Sequence, residues 1–248
     1  MRPSFEKTLR IIPKNNEGQE LVMKKITLLL ASWLLFLTGC THVQQGPRRM
    51  KAGTIIVLNG PSAAGKSSIQ KAFQYLKMPN LWVKVGIDNL FDFPMPDITL
   101  ENMSFWQKEN EILWVVKGAD AEGSTTVTLH VGNQGTRVAY AMNSAIADYA
   151  SNGCDVIVDY IAYKKEWLDD LQQKLKSYEV YYVAVDISLE ELERREAARE
   201  TSPVGHARSH YGEVHWDRVY DLRVNTELAS PEVIAKKIAD YIAKKKNY

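Results

Sequence analysis

Eight consecutive residues restrict this chain more than any others. Gly60, Pro61, Ser62, Ala63, Ala64, Gly65, Lys66 and Ser67 match G-x-x-x-x-G-K-[ST] without error. At ordinary residue frequencies the bare pattern arises by accident in roughly one per cent of chains this long. Its surroundings make accident rarer still. Residues 53–58 are a short apolar, β-branched run that reads as a buried strand, and a helical pattern follows to about Leu76, stopped before Pro79. A loop at such a junction turns its N–H groups inward and adds the positive end of the helix, so it binds phosphate oxygens. Gly60 and Gly65 permit the backbone path. Lys66 is placed to reach β- and γ-phosphates, and the Ser67 hydroxyl to ligate Mg²⁺. Residues 60–67 together with Ser68 are the nucleotide-binding candidates.

The rest of the chain alternates strand and helix patterns. Strands are expected at 81–85, 155–158, 178–185 and 220–224. A helix is expected at 135–151, closed by Asn152-Gly153, and another whose apolar face is Trp167, Leu168, Leu171 and Leu175. Ser188 with Glu191 forms a capping box for a helix over 189–200. Ser230 followed by Pro231 opens a terminal helix through Val233, Ile234, Ile238 and Ile242. Residues 112–116 and 125–131, joined by 118–123, read as a β-hairpin, and the polar, proline-containing segment 89–110 as a substrate-side excursion. This order predicts one α/β domain over 53–248, with a mainly parallel sheet covered on both faces and a hairpin insertion on the substrate side.

A phosphate loop indicates a nucleotide, and the chemistry depends on what faces it. Ligands in open parallel sheets bind beyond the carboxyl ends of the strands, where Asp88 and Asp159 fall. Asp88 precedes the substrate-side segment and is assigned as the base that orients an acceptor hydroxyl and takes its proton. The other reading of Asp88 is a cap of the next turn. Asp159 is assigned a metal or metal-water role, with pairing to a basic neighbour as its rival. Arg194, Arg195 and Arg199 share one helix. Arg195 and Arg199 are assigned as charge-stabilising groups over the transferring phosphoryl group, against a solvated face held by local Glu191–Arg195 pairs. Arg137 and Arg208 are weaker candidates. His206, His210 and His215 lack zinc-ligand spacing. Cys154, before a buried strand, reads as a packed thiol.

The N-terminus belongs to a different regime. Residues 1–50 hold eight of the 31 Lys/Arg side chains but three of the 30 Asp/Glu, so the formal charge of +1 averages a basic leader with an acidic remainder. Neither part has the charge of an electrostatic nucleic-acid binder. Lys24-Lys25, the apolar run 26–37 and Thr38-Gly39-Cys40 have the order of a secretory signal, and the run is short of the roughly 20 residues that span a bilayer. Residues 37–40 resemble the bacterial lipobox, which implies lipidation at Cys40, a membrane-anchored lipoprotein of the cell envelope, and a start at Met23 rather than Met1. The division is then 1–39 extension and signal, 40–52 tether and 53–248 domain. With two cysteines, one of them in this leader, no disulfide framework is expected.

The pieces together resemble the chloramphenicol phosphotransferase-like family of P-loop kinases. The text that carries the resemblance is Ile55-Ile-Val-Leu-Asn-Gly-Pro-Ser-Ala-Ala-Gly-Lys-Ser-Ser68, Val85-Gly-Ile-Asp88, Val156-Ile-Val-Asp159, Leu192-Glu-Arg-Arg-Glu-Ala-Ala-Arg199, Val214-His215 and Tyr220-Asp-Leu-Arg-Val-Asn-Thr226. The resemblance implies a three-layer P-loop NTPase/kinase fold, ATP and Mg²⁺, and a catalytic base at Asp88. The family usually has Asp-Asp where this chain has Asp159-Tyr160, and Ala-Arg-Gly-Asp-Arg where it has Ala198-Arg199-Glu200-Thr201-Ser202. It often has Val-Asp-Thr where this chain has Val224-Asn225-Thr226. Segment 89–132 matches poorly, so chloramphenicol is one acceptor among others.

The expected function is therefore ATP-dependent phosphoryl transfer to a hydroxyl of a small molecule, with no nucleic-acid partner. The alternatives are an exported nucleotide- or phosphate-binding module without catalysis, and an NTPase. The signal and the chemistry conflict, because ATP is scarce outside the inner membrane. An unused signal would leave the domain in the cytoplasm.

Overall fold

The computed structural model describes residues 51–86, 101, 112–120, 122–199 and 202–247. The leader, with Met23 and Cys40, lies outside these residues, as do Asp88 and nearly all of segment 89–110. Among the described residues no helix is long and apolar enough to cross a membrane.

Strand β1 (Ile55–Asn59) occupies the centre of a five-stranded sheet. Helix α1 is Lys66–Lys77 and β2 is Trp82–Gly86; β3 (Ile112–Ala119) and β4 (Thr125–Val131) follow. Then come α2 (Asn133–Ser151), β5 (Asp155–Tyr160), α3 (Lys165–Leu175), β6 (Val180–Asp186) and α4 (Leu189–Arg199). The chain ends with α5 (His206–His210), β7 (Leu222–Asn225) and α6 (Pro231–Lys246). The main sheet runs β2-β5-β1-β6-β7 with every pair parallel.

Three layers follow from a period of two along β1. Ile55 and Val57 point into one core with Met142 and Ile146 of α2 and Trp167, Leu168 and Leu171 of α3. Ile56 and Leu58 point into the other with Ile69 and Phe73 of α1 and Ile234, Ile238 and Ile242 of α6. All four β1 side chains are fully buried, which is why this segment reads as a continuous apolar run. The architecture is the α/β, mainly parallel one expected, with the hairpin β3–β4 as a separate antiparallel sheet.

Two local expectations change. The hairpin's first strand continues to Ala119, because the turn contracts around Asp120: its carboxylate accepts the N–H of Glu122 and of Ser124, and a bulge at Gly118 re-aims the strand. The capping box at Ser188 is half formed. The Glu191 N–H donates to Ser188 Oγ at 3.3 Å, but the Ser188 N–H is taken by Glu227 at 3.0 Å. The Glu191 carboxylate has turned to two arginines instead. The terminal helix opens as expected, with Ser230 Oγ accepting the Val233 N–H and Pro231 in the first turn.

Candidate functional site

The carboxyl end of β1 is fixed by its last residue. Asn59 is fully buried; its Nδ2 donates to Val214 O at 2.8 Å and Tyr220 Oη at 2.6 Å, and its Oδ1 accepts the Ala162 N–H at 3.3 Å. At Gly60 a side chain is excluded, since a Cβ would lie 2.6 Å from Val185 O. Gly65 takes φ 89° and brings no side chain to cap α1. The first turn of α1 carries no acid either. The positive end of α1 therefore meets neither a side-chain cap nor an acid of its own first turn, which suits an anion site. Below, Gln70 Nε2 donates to Val85 O at 2.9 Å and Ile157 O at 2.8 Å, pinning α1 under β2 and β5.

Lys66 and Asp159 are brought together here, at 4% and 6% exposure. Lys66 Nζ donates to Pro61 O at 2.8 Å, curling back over the loop, and lies 3.4 Å from Asp159 Oδ1. Ser67 Oγ donates to Asp159 Oδ2 at 2.5 Å. Asp159 Oδ1 is buried and accepts no hydrogen bond. Both readings of Asp159 therefore hold a part of the geometry: it pairs with a lysine and touches the serine assigned to the metal. This carboxylate and the Ser67 hydroxyl beside it are hard oxygen donors of the kind that fit Mg²⁺. Tyr160 does not compete with it. The strand alternation sends Tyr160 into the opposite core, where its hydroxyl donates to Asn143, so the missing second acid of the family's pair is not a gap in this cavity.

Ser62, Ala63, Gly65, Lys66, Ser67, Ser68, Asp159 and the three α4 arginines line one cavity of about 530 Å³. The arginines differ in what they already hold. Arg194 is engaged bidentately by Glu191, at 2.6 Å on both contacts. Arg195 donates to Glu191 at 2.7 Å and through both terminal nitrogens to Thr226, at 3.0 Å each. It lies against Gly65, with Nη1 3.6 Å from where a Cβ would be. Together these guanidiniums hold the Glu191 carboxyl down to about 2. Arg199 is exposed at the end of α4 and has no such partner among the described residues. Arg208 is spent on Glu193, Asp120 and Glu122, and Arg137 is exposed on α2, outside the cavity.

Two roles were not legible in the sequence, those of Glu196 as a cap and of His210 as a loop contact. Glu196, 2% exposed, accepts the N–H groups of Gly205 at 2.8 Å and Ala207 at 2.7 Å and so caps α5. His210 Nε2 accepts the Ser62 N–H at 3.1 Å. Their signal was the four-residue spacing of His206 and His210, one face of a helix turn, which was weighed only as a metal site. Among the described residues no group of three or more His, Cys, Asp or Glu could hold an ion.

Burial holds these histidines neutral. Desolvation first, with a smaller opposing effect from Val127 O, brings His206 down to about 4, and His210 falls well below its ordinary value. His215 is lowered for the same first reason. A histidine whose folded pKa is depressed binds more protons when unfolded, so stability is whole above about pH 6.5 and lost as pH falls below it. His206 alone accounts for about 3 kcal/mol between pH 6.5 and 4. Denaturant midpoints are expected to fall from pH 7 to 5, a window above the range where unfolded carboxylates titrate. His206→Gln is expected to flatten that fall, and an equal slope in this variant would refute the assignment.

A sequence profile described as "Chloramphenicol phosphotransferase-like protein" matches residues 53–243. Two Mycobacterium tuberculosis proteins, each named "Putative O-phosphotransferase", are 32% identical over 189 residues, 76% of this chain and 82% of theirs. Among solved structures, the APS kinase of M. tuberculosis in complex with AMPPNP and APS superposes with TM-score 0.51 at 16% identity, covering 77% of this chain and 98% of that one. A sugar kinase from Janibacter sp. HTCC2649 gives 0.51 at 14% identity, covering 77% and 95%. At such identities these two establish a shared fold, that of P-loop kinases.

Proposed function

Because the chain belongs to the chloramphenicol phosphotransferase-like family, we propose that it transfers the γ-phosphoryl group of ATP to a hydroxyl of a small molecule. The observation that carries this reading is the meeting of a helix N-terminus without a side-chain cap, a buried Lys66 and the exposed Arg199 around one cavity. The loop N–H groups cradle the phosphates. Lys66 leans on the terminal phosphate and stays with it as charge moves to the leaving oxygens. Ser67 and Asp159 would hold Mg²⁺, which when bound would supply positive charge against the phosphates. Arg199 approaches from α4, and Arg195, steadied by Thr226, lies against the loop beside it. Asp88 receives the acceptor proton. Positioning and charge neutralisation supply most of the rate in such a transfer.

The arginine assignment has its own test. Arg199→Ala is expected to lower turnover about tenfold, the solvent-exposed end of the range for a charge-stabilising donor. Arg194→Ala is expected to have the smaller effect, since Glu191 already engages that side chain. Steady-state rates with ATP and an accepted alcohol decide it. A larger loss in the Arg194 variant would reverse the roles.

A further inference from the structure

We propose that His210 is a positioning residue of the phosphate loop, its neutral imidazole accepting the Ser62 N–H and holding the loop in the path that receives nucleotide. The geometry stands alone; its consequence for nucleotide affinity rests on the phosphotransfer reading above.

The loop needs such an anchor at this point. Ala63, the next residue, sits at φ 60°, a left-handed conformation that an alanine does not hold without outside restraint. The loop's own bonds, from the Ala64 N–H and Lys66 Nζ, both end on Pro61 O. The Ser62 N–H instead reaches 148 residues along the chain, to His210 Nε2 at 3.1 Å.

His210 is built to accept. It is 7% exposed, packed against Tyr163 at 5.1 Å and His206 at 4.7 Å between ring centroids. With Nε2 accepting, the ring proton belongs on Nδ1, which lies 3.5 Å from Ser209 Oγ. That hydroxyl spends its own proton on His206 O at 2.7 Å, leaving its lone pairs for Nδ1–H. A charged imidazolium could not accept at all, and it would face Lys66 across the loop. Burial, His206 and the Lys66 charge all keep His210 neutral.

The imidazole is held from two other elements. Glu196 of α4 caps the α5 segment. The hairpin grips it through Val127, whose N–H donates to Gly205 O at 3.1 Å and whose O lies 3.3 Å from His206 Nδ1. Arg208 bridges Asp120 of the hairpin turn and Glu193 of α4. The position of Ser62 is thus fixed by α4 and by β4 through one ring nitrogen.

The test uses the whole chain and AMPPNP with Mg²⁺ as the probe, in the parent, His210→Leu and His210→Gln. Leucine fills the space without an acceptor, while the glutamine Oε1 can stand where Nε2 stood. His210→Leu is expected to weaken AMPPNP binding about tenfold, because a loop released from its anchor must be reordered when nucleotide binds, and His210→Gln to recover most of it. Nitrogen-15 shifts of the parent ring are expected to show the Nδ1–H tautomer. Undiminished binding by a folded His210→Leu, equal weakening in both variants, or an Nε2–H tautomer would each overturn the proposal. If His210→Leu fails to fold, the glutamine variant and the tautomer still decide. A parent that binds no AMPPNP while showing the Nδ1–H tautomer would overturn the nucleotide reading and, with it, the affinity claim; the bond itself would stand.

Discussion

Replacing Lys66 with methionine is expected to lower phosphoryl transfer roughly 10²–10³-fold, as removal of one donor aimed at transition-state charge does elsewhere. Methionine keeps most of the stem and its packing while deleting the ammonium. The site makes that charge unusually effective. Lys66 is buried, its Nζ is aimed by Pro61 O, and the first turn of α1 brings no acid to oppose it. Asp159, 3.4 Å away, steadies the ammonium until phosphate arrives. Nucleotide affinity is expected to fall far less than turnover, because the loop N–H groups remain. Single-turnover rates beside equilibrium binding separate the two. Equal losses in both would mean that Lys66 binds ground state and transition state alike.

Asp88→Asn is expected to leave ATP binding nearly intact and to lower transfer roughly 10²–10⁴-fold, the usual contribution of a positioned base. Asp88 lies outside the described residues, but its attachment point does not. Gly86, the last residue of β2, is the Cα partner of Asp159 across the sheet. The carboxyl end of β2 therefore lies beside that of β5, where Ser67 and Asp159 meet. Undiminished transfer in the variant would remove Asp88 from the mechanism. Acceptor-independent ATP hydrolysis, if any, is expected to survive the change, which separates loss of the base from loss of the nucleotide site.

The phosphate loop was legible because its chemistry dictates adjacent residues: glycine where Val185 O approaches, glycine again at φ 89°, then lysine and serine. The layers were legible because β1 alternates between two cores and α3 shows one apolar face. What stayed hidden depends on contacts between residues far apart. The sequence singled out Arg195 and Arg199 of the three α4 arginines, but not that Glu191 takes the i+3 and i+4 partners or that Thr226 arrives from the end of β7 to hold Arg195. His206 and His210 were read only as lacking zinc-ligand spacing, since spacing alone does not reveal that one faces Val127 and the other Ser62. Glu227 captured the Ser188 N–H from 39 residues away, which no local capping rule anticipates.

The measurement that tests the central claim most directly follows ATP, ADP, inorganic phosphate and phosphorylated product together, with Mg²⁺ and a panel of small alcohols that includes chloramphenicol. ADP formation is expected to depend on an acceptor and to match phosphorylated alcohol mole for mole. ADP and inorganic phosphate released at the same rate whether or not an alcohol is present, or nucleotide bound without any turnover, would contradict it.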